Sequence, residues 1–433
     1  MQRKLLLLSI LFLFLQCSKS ADEILPDAED DKNPPTEQEN EPQDDSTETK
    51  VLSISVQVDG DYYTNGFEGT LFLTNKDGEL LTSKKLENDV NNILEHEVEV
   101  ANDYDLTYIM LNTTDTNYPV DIHTFMNIEA GTFFLKALEN NTSVDSDVII
   151  NFLNTGFPLE QLNSFTNSSV NDASGSGSYE LDTRPSWYSG SLYVAFVSPN
   201  DGFPRYYFEK DIDPNNSYNV NYQELPSVEN EIQIGFPLGA DIIRARLWGY
   251  LENNGQMEWF SVDESEKAND SYFFPEGVFD GFELSASLTF GTTSQKSYDI
   301  SYFGKPQSFQ YTLPDLDGSV LSSELDDFNF VPERAYDFGT AFYGYFVNET
   351  RTFYRYYIHG LGEDKVAFSN DSLIDKLFEE ELNINSGNLK FAHYTMINNS
   401  ALKGNYNGFI QSLIDRNTAA FPEGTLVESL RLK

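Results

Sequence analysis

Apolar and polar residues alternate along much of this chain. In Ser53-Ile54-Ser55-Val56-Gln57-Val58 every second side chain is apolar, which predicts a strand with one face buried. Asn75-Lys76-Asp77-Gly78 lies between two apolar stretches and predicts a hairpin turn. Helical spacing occurs at three places. Asp371 can cap a helix over Ser372–Leu382, where Leu373, Leu377 and Phe378 share a face. Leu402, Tyr406, Phe409, Ile410 and Leu413 predict a second helix, which Gly404 and Gly408 weaken. Ile243, Leu247 and Tyr250, behind Asp241, predict a third. The expected class is mainly β: tandem β-sandwich modules of immunoglobulin or transthyretin-like kind, with a few short helices.

Short runs recur. Gly69-Thr70-Leu71-Phe72-Leu73 is echoed by Gly190-Ser191-Leu192-Tyr193-Val194 and by Gly339-Thr340-Ala341-Phe342-Tyr343. Arg205-Tyr206-Tyr207 returns as Arg355-Tyr356-Tyr357, and Phe274-Pro275-Glu276-Gly277 as Phe421-Pro422-Glu423-Gly424. Leu106-Thr107-Tyr108-Ile109, Ile232-Gln233-Ile234-Gly235 and Leu389-Lys390-Phe391-Ala392 form a further set. Ordered matches at near-constant offset point to repeated units. The expected modules are 51–160, 165–310 and 320–433, the last carrying helical insertions. Ser164 to Arg184, rich in Ser, Asn and Gly, and Leu313 to Asp327, with its Asp317-Gly318 turn, are the expected junctions.

The N-terminus reads differently. Arg3-Lys4 precedes the apolar run Leu5 to Leu15, which is too short to span about 30 Å of hydrocarbon as a helix. The run stops at Gln16-Cys17. Asp22, Glu23, Asp27, Glu29, Asp30 and Asp31 follow. Cys17 at the end of such a run resembles the lipid-bearing cysteine of bacterial lipoproteins, although Phe14-Leu15-Gln16 departs from the small residue usual before it. The acids after it resemble the export signal of surface lipoproteins in the Bacteroidota. The resemblance implies a signal peptide over 1–16, acyl chains such as palmitate on Cys17, and an outer-membrane protein displayed at the cell surface. Residues 17–50 hold Pro26, Pro34, Pro35 and Pro42 and few large apolar side chains. They cannot bury enough surface to offset ordering entropy, so a disordered acidic tether is expected. Asp45-Ser46-Thr47 resembles an O-glycosylation site of the same bacteria.

Charge narrows the function classes. The net charge is −43, with no basic cluster, which argues against nucleic-acid binding and against direct adhesion to an anionic membrane. Aromatics make up 14% of the chain and favour pleated, half-buried surfaces. With one cysteine, no disulfide can form within the chain.

No nucleophile elbow, P-loop or H-E-x-x-H run occurs. His96, His123, His359 and His393 show no metal-ligand spacing. Asp315, Asp317, Glu324, Asp326 and Asp327 cluster at the second junction and could supply oxygens to a structural calcium, but the EF-hand pattern is absent. A solvated acidic linker is the simpler reading, and no other cofactor is expected. Trp187, Trp248 and Trp259 are candidate stacking aromatics for a sugar ring. The expected function is a non-enzymatic β scaffold, held to the membrane by lipid, that binds a glycan or a surface protein. The alternatives are a fimbrial-type subunit, with Gly424 to Lys433 as a detachable strand, and a secreted carboxylate-dependent glycoside hydrolase. The anchor makes a direct prediction: Cys17→Ala should move the protein from the membrane pellet to the soluble fraction on cell fractionation.

Overall fold

In the computed structural model the described residues lie within 52–433; several connecting segments fall outside them, the longest being 137–147, 156–162 and 369–381. The expected signal peptide, Cys17 and the expected tether also lie outside them. Residues 51–433 cluster as one compact unit.

The protein is built of strands, and a closely related order of pairing recurs in four units among the described residues. The first unit shows it in full. Strand β1 (Leu52–Val58) pairs antiparallel with β4 (Asn92–Val98) and parallel with β7 (Gly131–Leu135). Facing them, β2 (Phe67–Asn75) pairs with β3 (Leu80–Leu86) and β5 (Tyr104–Asn112), and β5 with β6 (Val120–Ile128). Ile54, Val56 and Val58 of β1 are buried, as the alternation requires. Asn75-Lys76-Asp77-Gly78 forms the expected turn: the Gly78 N–H donates to the Asn75 carbonyl at 2.9 Å, with Gly78 at φ 76°.

The second unit sets β8 (Val148–Leu153) between β11 (Ser178–Thr183) and β14 (Ser217–Asn221), with β10 (Asn171–Gly175) beyond β11. Its other layer is β9 (Asn163–Phe165), β12 (Leu192–Val197) and β13 (Arg205–Glu209). In the third, β15 (Asn230–Gly235) lies between β18 (Asn269–Phe274) and β21 (Phe309–Gln310). Its larger layer is β16 (Ile242–Asn253), β17 (Gln256–Ser265), β19 (Gly281–Phe290) and β20 (Lys296–Phe303). The fourth has β23 (Phe328–Pro332) between β26 (Val366–Phe368) and an antiparallel β22 (Gly318–Ser322). It is completed by β24 (Phe338–Val347), β25 (Thr352–Leu361), β27 (Lys390–Asn399) and β28 (Leu426–Leu432).

The larger layers of units three, four and one fuse edge to edge into one 12-stranded sheet. Strand β20 joins β28 antiparallel, and β25 joins β6 in parallel. Four apolar clusters fill the layers. Strands β2, β5 and β6 have a cluster on each face, which is why Tyr104 to Ile109 is buried without a break.

The fourth unit, 318–432, matches the expected segment 320–433, but 51–160 and 165–310 divide into three units rather than two. Both expected junctions contain strands: β9, β10 and β11 fall in the first, and β22 in the second. Of the repeated words, Gly69 and Gly339 occupy equivalent places, in β2 and β24 opposite Met110 and Met396, but the second copy does not. Gly190 precedes β12 in a left-handed conformation at φ 68°, whereas Gly339 is extended within β24. What Gly339 provides is space: a Cβ there would meet the Tyr394 hydroxyl. Arg205 opens the last strand of its layer, while Arg355 lies in the second strand of a hairpin. Such words recur because a glycine followed by alternating aromatics suits any half-buried strand. The Phe-Pro-Glu-Gly pair does share its local turn, with Gly277 at φ 73° and Gly424 at φ 87°. The two turns nevertheless feed different positions, β19 and β28.

Two of the expected helices can be compared. Tyr406–Ile414 is helical and buries Tyr406, Phe409, Ile410 and Ile414. Residues 242–253, expected as a helix, form β16. In the strand Ala245, Leu247 and Leu251 point inward on alternate positions, and Tyr250, three residues after Leu247, falls on the opposite face. The helix over Ser372–Leu382 lies almost wholly outside the described residues. Among the described residues no helix is long and apolar enough to cross a membrane.

The tight seat of Gly339 gives a stability prediction. Gly339→Ala should displace the Tyr394 ring and its 3.0 Å hydroxyl contact with Tyr336. A loss of about 1–3 kcal/mol in denaturant unfolding is expected.

Candidate functional site

Alternation along β16 puts Arg246, Trp248 and Tyr250 on the face opposite the buried Ala245 and Leu247. Register then sets Trp259 of β17 across from Tyr250, with ring centroids 5.2 Å apart. The Trp248 indole N–H donates to Ser285 Oγ at 3.2 Å, and its ring lies 5.6 Å from the Arg246 guanidinium. Arg246 is held in turn by Glu264 at 3.2 Å. All four side chains from Arg246 to Trp259 are half-buried.

This face continues over the neighbouring strands as a polar surface. Ser287 Oγ donates to Asp299 Oδ1 at 2.5 Å, and Asp299 lies 3.5 Å from Arg431. A ladder of rings then crosses five adjacent strands of the same face: His393, Phe342, Tyr357, His123 and Tyr108. Their successive centroids are 5.2, 4.8, 4.7 and 4.7 Å apart. Two of the predicted tryptophans therefore share a platform, and Tyr250 joins them. The period-two pattern Arg246-Trp248-Tyr250 carried that signal in the sequence. Trp187 lies outside the described residues.

The histidines are not scattered. His123 and His359, 236 residues apart in sequence, approach at 3.0 Å through Nδ1 and Nε2. Thr340 Oγ1 contacts His359 Nδ1 at 2.9 Å. Burial, reinforced by the nearby Arg355 cation, pushes the His123 ring down to about 3. Burial and then His123 lower His359 as well. Neutral rings suit this chain, because each shared gap has room for one proton. His96 stands apart on β4.

Arg355 forms a fork to Asp121, with Nε–Oδ1 at 2.5 Å and Nη2–Oδ2 at 2.6 Å. On the opposite face Thr107, Thr124 and Tyr356 link their hydroxyls at 2.8 and 3.0 Å. These contacts satisfy buried polar groups where β6 meets β25 and need no ligand to explain them. The acids of the second junction are spread among cations: Asp315 pairs with Arg334 at 2.9 Å and Asp317 with Lys296 at 2.6 Å. Among the described residues no group of three or more His, Cys, Asp or Glu is placed to hold a metal ion.

A concave feature lies on the other face of the sheet, in the fourth unit. It is a cleft of about 420 Å³ lined by Tyr336, Asp337, Asn398, Lys403, Leu426 and Glu428, among others.

No family model matches this chain, and no curated protein matches it. Among solved structures it is similar to a candidate adhesin from Bacteroides ovatus at 12% identity and a TM-score of 0.13, over 62% of this chain and 91% of that one. A likeness that slight carries no argument about function, which rests on the residues themselves.

Asp105 gives a pH prediction. It is buried beside the seam, where its Oδ1 accepts from the Asn127 N–H at 2.9 Å. Burial raises its carboxyl to about 7, against 3.8 when free. Between those values the folded state holds a proton that the unfolded chain releases, so stability falls as pH rises from about 4 to 7. The buried histidines act in the opposite sense: below 6.5 the unfolded rings take up protons that the folded pair refuses. Asp105→Asn should match the parent near pH 4 and exceed it increasingly up to pH 7–8. Urea midpoints measured across that range test this.

Proposed function

We propose that this chain is a non-enzymatic lipoprotein of the outer membrane, displayed at the cell surface, whose β body binds a glycan. The observation that supports the glycan most is the platform of Trp248, Tyr250 and Trp259 on one face of an outer hairpin. Strand β17 is an edge strand of the 12-stranded sheet, so the platform lies at a margin of the largest sheet among the described residues. Half-buried rings set by register on a rigid hairpin lose little freedom on binding and offer apolar area to a pyranose face. Ser285, Arg246 and Glu264 beside them supply donors and acceptors for hydroxyls. The lipid anchor and surface display rest on Arg3-Lys4, the apolar run, Cys17 and the acids after it.

The fimbrial alternative is weakened by β28. A detachable strand should sit at a sheet margin, yet Leu426–Leu432 is paired along both edges, to β20 and to β27. Releasing it would break two ladders at once. The non-enzymatic reading rests on the absence of a catalytic motif in the sequence.

The test is a glycan array probed with the full mature protein and with Trp248→Ala and Trp259→Ala. Each substitution should weaken binding by about tenfold, given roughly 1–2 kcal/mol for a stacked ring. Binding unchanged in both variants would refute the platform. Turnover of an arrayed sugar would refute the non-enzymatic reading.

A further inference from the structure

The cleft of the fourth unit has chemistry distinct from the platform. Its floor is β28, where Leu426, Glu428 and Leu430 point to the face that carries the apolar cores. One wall is the connection through Ala335, Tyr336 and Asp337, and the other is Asn398, Ser400 and Lys403 after β27. Glu428 is half-buried among apolar neighbours in a central strand, with Ile300 and Asn398 opposite it on the two flanking strands. A carboxylate is a costly choice for such a position, where an apolar or amide side chain would pack at less expense.

Yet Glu428 has no hydrogen-bond or ion-pair partner among the described residues, and neither has Lys403. The two opposite charges line one cavity without closing on each other. The other polar groups are partly committed. Asp337 Oδ2 accepts from the Asn399 N–H at 3.0 Å, and Ser400 Oγ accepts from the Leu426 N–H at 2.9 Å. Asn398 Oδ1 accepts from the Asp337 N–H at 3.2 Å, which leaves its amide N–H groups for another acceptor. Burial alone raises the Glu428 carboxyl above its ordinary value, as expected for an acid awaiting a partner.

We infer that this cleft is a second carbohydrate site, in which Glu428 and Lys403 grip the hydroxyls of a neutral saccharide of about two residues. The volume lies in the range of small-molecule pockets. A carboxylate can accept from two adjacent hydroxyls, while the ammonium and the Asn398 amide donate to hydroxyl or ring oxygens. Leu426 and Ala335 meet the apolar edges of the sugar. With Asp337 and Glu428 against Lys403 the cleft is net acidic, which disfavours uronic acids and other anions. This inference deepens the glycan reading but depends on residues that the platform does not use.

The experiment is isothermal titration calorimetry on the full mature protein with maltose, cellobiose, lactose and di-N-acetylchitobiose, and with glycylglycine as a zwitterionic control. At least one disaccharide should bind. Glu428→Gln and Lys403→Ala should each lower its affinity tenfold or more, while Trp248→Ala leaves it within twofold. Lys403 is exposed, so its variant keeps the fold, and thermal melting verifies this for Glu428→Gln. Binding of none of the four sugars, binding of glycylglycine instead, or sugar affinity unchanged in both cleft variants would overturn the inference. Loss of sugar binding through Trp248→Ala alone would assign it to the platform and leave the cleft refuted.

Discussion

The architecture depends on one backbone contact, the parallel ladder between β6 and β25. It joins residues 120–125 to 354–359, so the first and fourth units meet across more than 230 residues of sequence. A sandwich layer ends in strands whose outer N–H and C=O groups are unpaired, and exposed edges of that kind invite foreign strands. Here the layers of three units use each other to cover those edges. Strands β3 and β17 remain as the outer margins of the sheet.

Backbone pairing alone would leave that seam free to slip by two residues, because the period of a strand is two. Buried polar side chains fix the register on both faces. The Arg355–Asp121 fork and the His123–His359–Thr340 chain lie on one face, and the Thr107–Thr124–Tyr356 hydroxyls on the other. Each would be left unsatisfied by a shifted ladder. Leaving one partner of such a buried contact unsatisfied costs about 1–3 kcal/mol. The helix Tyr406–Ile414 seals the same junction. Phe409 stacks on Phe338 at 4.1 Å, and Gln411 exchanges two hydrogen bonds with the backbone of Phe134 on the open edge of β7.

The fused sheet also places the two proposed binding features. Units three and four carry their smaller layers on one face, so the other keeps its polar and aromatic side chains outward, Trp248 and Trp259 among them. The cleft forms on the covered face above β28, between the connection through Tyr336 and the turn after β27. A single set of strand pairings thus yields a flat platform and a recessed pocket on opposite sides.

Much of the local structure was decided by the sequence itself. Alternation in Ser53 to Val58 specifies a strand because one face must be apolar, and Asn75 to Gly78 specifies its turn because Gly accepts a positive φ. The apolar stripe of Tyr406 to Ile414 specifies a helix despite Gly408. The acidic charge argues against whole classes of partner, and the single cysteine excludes a disulfide within the chain. Tertiary structure decided what depends on distant strands. Residues 242–253 became a strand because pairing on both sides, with β17 and β19, outweighed a helical spacing that the same residues also satisfy. The words built around Gly190 and Gly339 look alike, but one glycine serves a backbone angle and the other the room needed by Tyr394. The meeting of His123 with His359, and of Glu428 with Lys403 across one cavity, follows from which edges pair. No local pattern encodes that choice, because an edge strand presents the same backbone groups to every partner, and only the side chains gathered at the seam select among them.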